Sequence, residues 1–99
     1  MNGQLSSTDF TNLLQDIEET IIVWQKQMKE KMRDRRFNAR QYLAEQLGYK
    51  DPKVIYKLLD INDISKYKFG IEDLERIIRI TKDITPLRNY VDALEEELR

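Results

Sequence analysis

Apolar residues in the first third of the chain recur at alternating steps of four and three. Their positions are Phe10, Leu14, Ile17, Ile21, Trp24 and Met28, and Met32 continues the series. This is the heptad spacing of one helix face, and Ser7 or Thr8 upstream is a suitable N-cap. We predict a helix from there to Asp34 or Arg35, which is about 28 residues and ~42 Å long.

The apolar face of this first helix has two possible partners. It can pack within the chain, or it can pair with the same face of a second chain. The helices predicted after it are short and cannot cover its whole length, so we predict an oligomer contact for part of it. The residues assigned to oligomerisation are Ile17, Ile21, Trp24 and Met28, together with Leu94 and Leu98 near the carboxyl end. Residues 1–35 then form an oligomerisation element, and residues 36–99 form the rest of the protein.

Two short helical patterns follow, with a break between them. Asn38 is a favourable N-cap, and Gln41 lies three residues later at the spacing of a capping box. Gly48 ends the second helix, because glycine adopts the required positive φ without strain. Asp51 and Pro52 begin the third helix, since proline is tolerated in a first helical turn. The residues predicted to face inward are Leu43, Ala44 and Leu47 before the turn and Val54, Ile55, Leu58 and Leu59 after it.

The carboxyl half of the chain predicts two more helices. One covers about residues 71–81, with Ile71, Leu74, Ile77 and Ile78 on its inner face. Thr85 is the predicted N-cap of the other and Pro86 its first helical residue, and its apolar residues are Leu87, Val91, Leu94 and Leu98. In the connector between the third and fourth helices, Ile61, Ile64 and Phe69 are expected to tuck under the domain. Because no strand alternation occurs, we predict an all-α fold, a helix-turn-helix bundle of about five helices with a long N-terminal helix.

The second and third helices have the sequence form of a helix-turn-helix, in which a tight turn joins two short helices. With its apolar residues inward, the third helix turns Lys53, Tyr56 and Lys57 outward, and Lys50 lies in the turn before it. In the common docking mode such a helix enters the major groove of double-stranded DNA, where lysine can donate to guanine. We therefore predict that these four side chains contact bases, and that residues 36–99 form a helix-turn-helix DNA-binding domain with a carboxyl-terminal helix.

Charge is distributed unevenly, although the formal net charge is only −1. Residues 1–23 hold four acids and no base, whereas residues 24–42 hold seven bases and two acids, a local charge of +5. A concentrated basic stretch can bind a polyanion even when the whole chain is nearly neutral. The N–H groups that begin the second helix also favour an anion. The residues predicted to contact DNA phosphates are Lys31, Arg33, Arg35, Arg36, Asn38, Arg40 and Gln41.

The segments LAEQLGYKDPKVIYKLLD and KYKFGIEDLERIIRITKDITPLRNYV resemble the phage regulatory CII family of P2-like phages and related prophages. The matching positions within residues 36–91 are Leu43, Ala44, Leu47, Gly48, Val54, Lys57, Leu58, 72–74, Ile77, Thr81 and Asp83. The resemblance implies a small homo-oligomeric transcription regulator, with Lys53, Tyr56 and Lys57 in its recognition helix. The family's Arg-Asn pair is Ile55-Tyr56 here, and the first helix lies outside the match. Neither the DNA target nor a role for the first helix can therefore be transferred.

An enzyme is not expected. The chain has no Cys and no His, which removes thiolate nucleophiles and the usual general base. Its neighbouring acids, such as Glu18 and Glu19, lie on polar helix faces, and no Gly-rich phosphate loop occurs. We therefore predict no cofactor and no metal. No apolar run approaches the ~20 residues that span a bilayer, and the first residues lack a signal-peptide pattern, so we expect a cytoplasmic protein without a membrane partner.

A second hypothesis is a protein–protein interaction module, such as an antirepressor, an adaptor or an antitoxin-like protein. Its partner would be another phage or host regulatory protein. The two heptad patterns and the near-neutral charge favour this hypothesis, because many DNA-binding domains are clearly basic. Salt separates the two hypotheses, since DNA binding weakens steeply as salt rises and an apolar contact responds weakly.

Overall fold

Five α-helices run through residues 4–60 and 69–99, which are the residues that the computed structural model describes, with side chains from residue 10 onward. They are α1 (Gln4–Met32), α2 (Ala39–Leu47), α3 (Lys53–Leu59), α4 (Ile71–Thr81) and α5 (Thr85–Glu97). These residues contain no strand, so the predicted all-α class is confirmed. Ile61 and Ile64, which were expected to tuck under the domain, lie outside the described residues.

The apolar face of α1 forms the centre of the core. Ile17 is 1% exposed and Ile21 is 0% exposed, and Leu14 and Trp24 beside them are also buried. α1 contacts each of the other four helices, and its buried residues form one cluster with those of α2, α3 and α4. Burying each large aliphatic side chain contributes roughly 1.5–3 kcal/mol. Because the buried cluster joins α1 to α2, α3 and α4, the core includes residues on both sides of the predicted domain boundary at residue 35.

This packing corrects the oligomer role predicted for Ile17, Ile21 and Trp24, because all three are core residues of a single chain. Met28, assigned to the same contact, is partly buried against that core. α5 covers a long stretch of α1, running from a groove beside Val23 to one beside Asn12. A heptad pattern predicts that a helix face is buried, but it does not specify whether the same chain or another one covers it.

Both ends of α1 differ from the prediction. The helix begins at Gln4 rather than at Ser7, and it ends at Met32, short of Asp34. It ends there because Arg33 adopts a left-handed φ of 55°. The Arg33 and Asp34 N–H groups then donate back to carbonyls of the last turn at 3.3 and 3.1 Å, which is the hydrogen-bond pattern of a Schellman motif.

The turn between α2 and α3 has the predicted glycine geometry. Gly48 has a φ of 88°, and its N–H donates to the Glu45 carbonyl at 3.2 Å. The Tyr49 N–H reaches the Ala44 carbonyl at 2.7 Å, which completes a second Schellman motif. At the start of α3, the Asp51 carboxylate accepts the N–H of Lys53 at 2.9 Å. The chain thus leaves one helix and begins the next within residues 48–52.

The carboxyl half confirms the bounds of α4 but corrects two details. Leu74 and Ile77 are buried, whereas Ile71, predicted to face inward, is 76% exposed. Thr85 does not cap α5. Instead the Asp83 carboxylate accepts the Thr85 N–H at 2.9 Å, and hydrogen bonds from the Thr85 side chain and backbone hold the pKa of Asp83 below its usual value.

Among the described helices, none is both long enough and apolar enough to cross a membrane.

Replacing Ile21 by alanine should test whether α1 is the core of a single chain. We expect Ile21→Ala to lower the free energy of unfolding by about 2–5 kcal/mol, because it leaves a cavity in a fully buried position. The matched control is Ile22→Ala on the adjacent residue, which is 52% exposed and should cost less than about 0.5 kcal/mol. Urea unfolding followed by circular dichroism measures both values. Equal losses for the two variants would contradict this assignment.

Gly48→Ala should destabilise the protein through backbone conformation alone. A Cβ built at Gly48 has no heavy atom within 4 Å, so the cost comes from its positive φ and should be about 1–2 kcal/mol. Gly70→Ala is the control, since Gly70 has an extended φ of −116°. At position 70 an alanine restricts the unfolded chain, which stabilises the protein, but it also replaces a favourable N-cap residue, which destabilises it. The two effects on the free energy of unfolding should nearly cancel. The unfolding temperature of Gly70→Ala should be close to that of the native chain, and that of Gly48→Ala should be lower. A lower unfolding temperature for Gly70→Ala than for Gly48→Ala would contradict the turn geometry.

Candidate nucleic-acid interface

α3 presents an apolar side to the core and a polar side to solvent. Its buried residues are Val54, Ile55, Leu58 and Leu59, as predicted. Lys53, Tyr56 and Lys57 are exposed on its outward side, and we call these three residues the α3 face. Lys50 is exposed in the preceding turn. The four side chains predicted to contact bases are therefore all on the surface, and three of them share one side of one helix.

Arg40 contacts Tyr56 of the α3 face from the side of α2. Its guanidinium carbon lies 4.4 Å from the centroid of the Tyr56 ring, within the range of a cation–π interaction. The same guanidinium forms an ion pair with Glu18 of α1. Arg40 therefore links three helices, α1, α2 and α3, at one point.

This link corrects the phosphate contact predicted for Arg40. The Arg40 side chain is only 12% exposed, and its charge is compensated by Glu18. Its Nε atom is buried and has no hydrogen-bond partner among the described residues. Burying an arginine without a carboxylate costs several kcal/mol, and the Glu18 carboxylate offsets this cost for Arg40. A phosphate would have to displace Glu18 to reach it.

The beginning of α2 is also more occupied than predicted. The Ala39 N–H donates to the Gln25 side-chain oxygen of α1 at 2.9 Å. The Gln41 N–H donates to the Asn38 side-chain oxygen at 3.0 Å, which confirms Asn38 as the N-cap. Two of the N–H groups that were predicted to face a phosphate are thus already bonded within the chain, so an anion site at this helix end is not open. The Gln41 side chain itself is exposed.

The remaining predicted phosphate contacts lie on and after the last turn of α1. Lys31, Arg33, Arg35 and Arg36 are all exposed, and the last three belong to the loop of residues 33–38, which we call the basic loop. Asp34 in this loop lies 3.8 Å from the Arg36 guanidinium. An exposed pair at this distance contributes little, so Arg36 keeps its charge available to a ligand.

An aromatic cluster holds the basic loop against the helices. The rings of Phe37 and Trp24 meet edge to face with centroids 5.5 Å apart, and Tyr42 lies 5.8 Å from Trp24 and 6.1 Å from Phe37. Such pairs contribute about 0.5–1.5 kcal/mol beyond their buried area. Phe37 therefore anchors the carboxyl end of the loop, while the arginines before it remain in solvent.

The Arg40–Tyr56 contact also brings the basic loop near the α3 face. Arg40 lies in the first turn of α2, directly after the loop, and Tyr56 lies in the middle of α3. The start of α2 therefore lies alongside the middle of α3. The basic loop thus ends two residues before a side chain that contacts the α3 face.

Sequence patterns did not identify two residues that shape this surface. Glu18 and Gln25 both lie on α1, and their partners Arg40 and Ala39 are 22 and 14 residues away. No short-range spacing relates such pairs. The only available signal is that both polar residues follow a core position of the α1 heptad, at Ile17 and Trp24, and so lie at the edge of a buried face.

The described residues contain no group of three or more metal-ligating side chains that could hold a metal ion. No protein-family model matches the chain, and neither does any curated protein or solved structure. The resemblance to the phage regulatory CII family thus remains a prediction based on the sequence segments given above.

A double-mutant cycle should measure how firmly Glu18 holds Arg40. We expect Glu18→Ala, Arg40→Ala and the double variant to give a coupling energy of about 1–2 kcal/mol, limited by the partial exposure of Glu18 to water. Glu19→Ala is the control, because Glu19 is its exposed neighbour on the same helix. Chemical unfolding of the four proteins supplies the energies. A coupling near zero would mean that Arg40 is free to bind another anion.

Proposed function

We propose that this protein is a sequence-specific DNA-binding transcriptional regulator of the phage or prophage type, acting as a homo-oligomer. The observation that carries the proposal is the α3 face. Two lysines and a tyrosine are exposed on one side of a short helix whose other side is buried. The turn before it contains a left-handed glycine, as the helix-turn-helix hypothesis requires. The phage assignment rests on the sequence resemblance alone.

In the proposed complex, α3 enters the major groove and its side chains approach base edges. Lys53 and Lys57 donate to guanine O6 and N7, and Tyr56 contacts a thymine methyl group or a phosphate. The basic loop, with Lys31 beside it, supplies the phosphate contacts that set the position of the protein on the duplex. Arg40 positions Tyr56 and takes no part in binding phosphate, because Glu18 already occupies its guanidinium.

One observation favours the competing hypothesis of a protein–protein interaction module. The formal net charge is −1, so the field of the whole protein does not attract DNA. DNA affinity depends on the local field instead, because counterions are released only where basic side chains contact DNA phosphates. Each phosphate contact should contribute about −0.9 to the slope of log K against log salt concentration. The four exposed basic residues in and beside the basic loop thus predict a slope of roughly −3 to −4.

Lys53→Ala should distinguish base contact from phosphate contact. A duplex is first selected from random DNA with the native chain, and fluorescence anisotropy then measures affinity for this duplex and for a scrambled one. If Lys53 contacts a base, its loss should cost about 1–3 kcal/mol on the selected duplex and much less on the scrambled one. Arg76→Ala is the control, since Arg76 is an exposed basic residue of α4 that lies outside the proposed interface.

Two results would contradict the proposal. One is a selection that enriches no sequence, together with binding that does not depend on salt. The other is an affinity for the selected duplex that Lys53→Ala, Tyr56→Ala and Lys57→Ala all leave unchanged while circular dichroism shows a native fold. Equal losses on both duplexes for Lys53→Ala alone would assign this residue to phosphate and keep the rest of the proposal.

A further inference from the structure

The outer side of α5 carries an apolar stripe that no described residue covers. Ile84, just before the helix, is 47% exposed, Val91 is 50% exposed and Leu98, just after it, is 86% exposed. These residues step by seven, which is nearly two helical turns, so they lie on one side. Leu94 is partly buried beside them. We call Ile84, Val91, Leu94 and Leu98 the α5 stripe.

The α5 stripe is distinct from the side of α5 that packs on α1. Pro86 is buried, Asn89 donates to the Asp16 carboxylate at 3.3 Å, and Tyr90 and Ala93 line a groove against α1. The stripe lies about 100° or more around the helix from this contact side. It is therefore a second apolar surface of α5, beyond what the fold of one chain uses.

Charges beside the α5 stripe differ in sign between its two ends. Arg88 and Glu95 are both exposed, and they also step by seven, so they lie along the same flank of the stripe. The amino-terminal end of the stripe thus has a base beside it. The carboxyl-terminal end is acidic, with Glu95, Glu96 and Glu97 in succession. Within the chain, Glu95 has only a loose ion pair with Arg99 at 3.8 Å.

We propose that the α5 stripe binds the α5 stripe of a second copy of this chain, with the two helices antiparallel across a twofold axis near Val91. This arrangement places Arg88 of each copy beside Glu95 of the other copy, so the charge pair forms twice. A parallel pair would instead bring the two acidic ends together, which is unfavourable. Both orientations give a closed twofold dimer with a self-complementary surface, so the charges beside the stripe are what favour the antiparallel one.

The neighbouring groove extends the surface that the second copy covers. Ile71 and Ile78 of α4 line an open groove with Ile84 and Leu87, directly beside the stripe. Ile71, which the sequence placed in the core, contributes its exposed side chain to this surface. α5 alone has 13 residues and is therefore about 20 Å long, which gives a small interface. We expect a dimer that dissociates at micromolar concentration.

This inference rests on the proposed function and specifies its homo-oligomer. It narrows the predicted contact to the carboxyl-terminal helix, where Leu94 and Leu98 were already assigned to it. The test is the mass of the full chain by sedimentation equilibrium at several concentrations, without DNA. The native chain should be a dimer at high concentration, and Val91→Lys should be monomeric with unchanged circular dichroism. Ile22→Lys is the control, because it introduces the same charge at an exposed apolar position of α1.

Charge reversal tests the antiparallel orientation. Arg88→Glu and Glu95→Arg should each weaken the dimer about tenfold or more, because each places like charges together twice. The double variant should recover the native affinity, and so should an equimolar mixture of the two single variants. Glu96→Arg, which reverses the adjacent charge away from the stripe, should have little effect.

Three results would overturn the inference. They are a native chain that is monomeric up to millimolar concentration, a dimer that Val91→Lys leaves intact, and a double reversal that restores nothing. A monomeric native chain that still binds the selected duplex would overturn this inference and the homo-oligomer of the proposed function, but not the proposed DNA binding. A dimer of the expected kind that binds no DNA would overturn the proposed DNA-binding function alone.

Discussion

The rest of the structure depends on the burial of the apolar face of α1. Ile17 and Ile21 lie at the centre of the core, and every other helix touches α1. α2 and α3 are too short to be stable alone, because an isolated helix of nine or seven residues is far below the length that sustains itself in water. They hold their places because each has an apolar side to set against α1. The direction in which α3 faces is thus decided by packing on a helix that begins 49 residues earlier in the chain.

Much of this fold was predictable from local patterns. The cap at Asn38, the glycine at the end of α2 and the extent of α4 depend on interactions within a few residues, and the structure confirms them. Asp51 bonds the first turn of α3 as expected, but the helix begins at Lys53, one residue later than predicted. The partner of the α1 face was not predictable in this way. Its heptad spacing records only that a side is buried, and the structure shows that the same chain buries it. For this reason Ile17, Ile21 and Trp24, which were first assigned to an oligomer contact, are core residues of one chain.

The candidate interface shows the same division. The outward position of Lys53, Tyr56 and Lys57 followed from the apolar spacing of α3, which is a local property. The fate of Arg40 depended on Glu18, which is distant in sequence and supplies no short-range signal. Because Arg40 lies in a basic stretch, the sequence predicted that it contacts a DNA phosphate, although Glu18 of the same chain compensates its charge. Charge runs identify a region of positive potential, but long-range packing decides which of its members face outward.

The stacking of Arg40 on Tyr56 has a consequence for any partner of the α3 face. One side of the aromatic ring is held by a guanidinium that is itself fixed to α1, so the ring is oriented before a partner arrives. A side chain that is already immobilised loses less rotational freedom on association than a free one, which saves part of the ~0.5–1.5 kcal/mol that ordering such a group costs. Part of the folding energy of the chain is thus used in advance to keep the Tyr56 ring of the α3 face rigid.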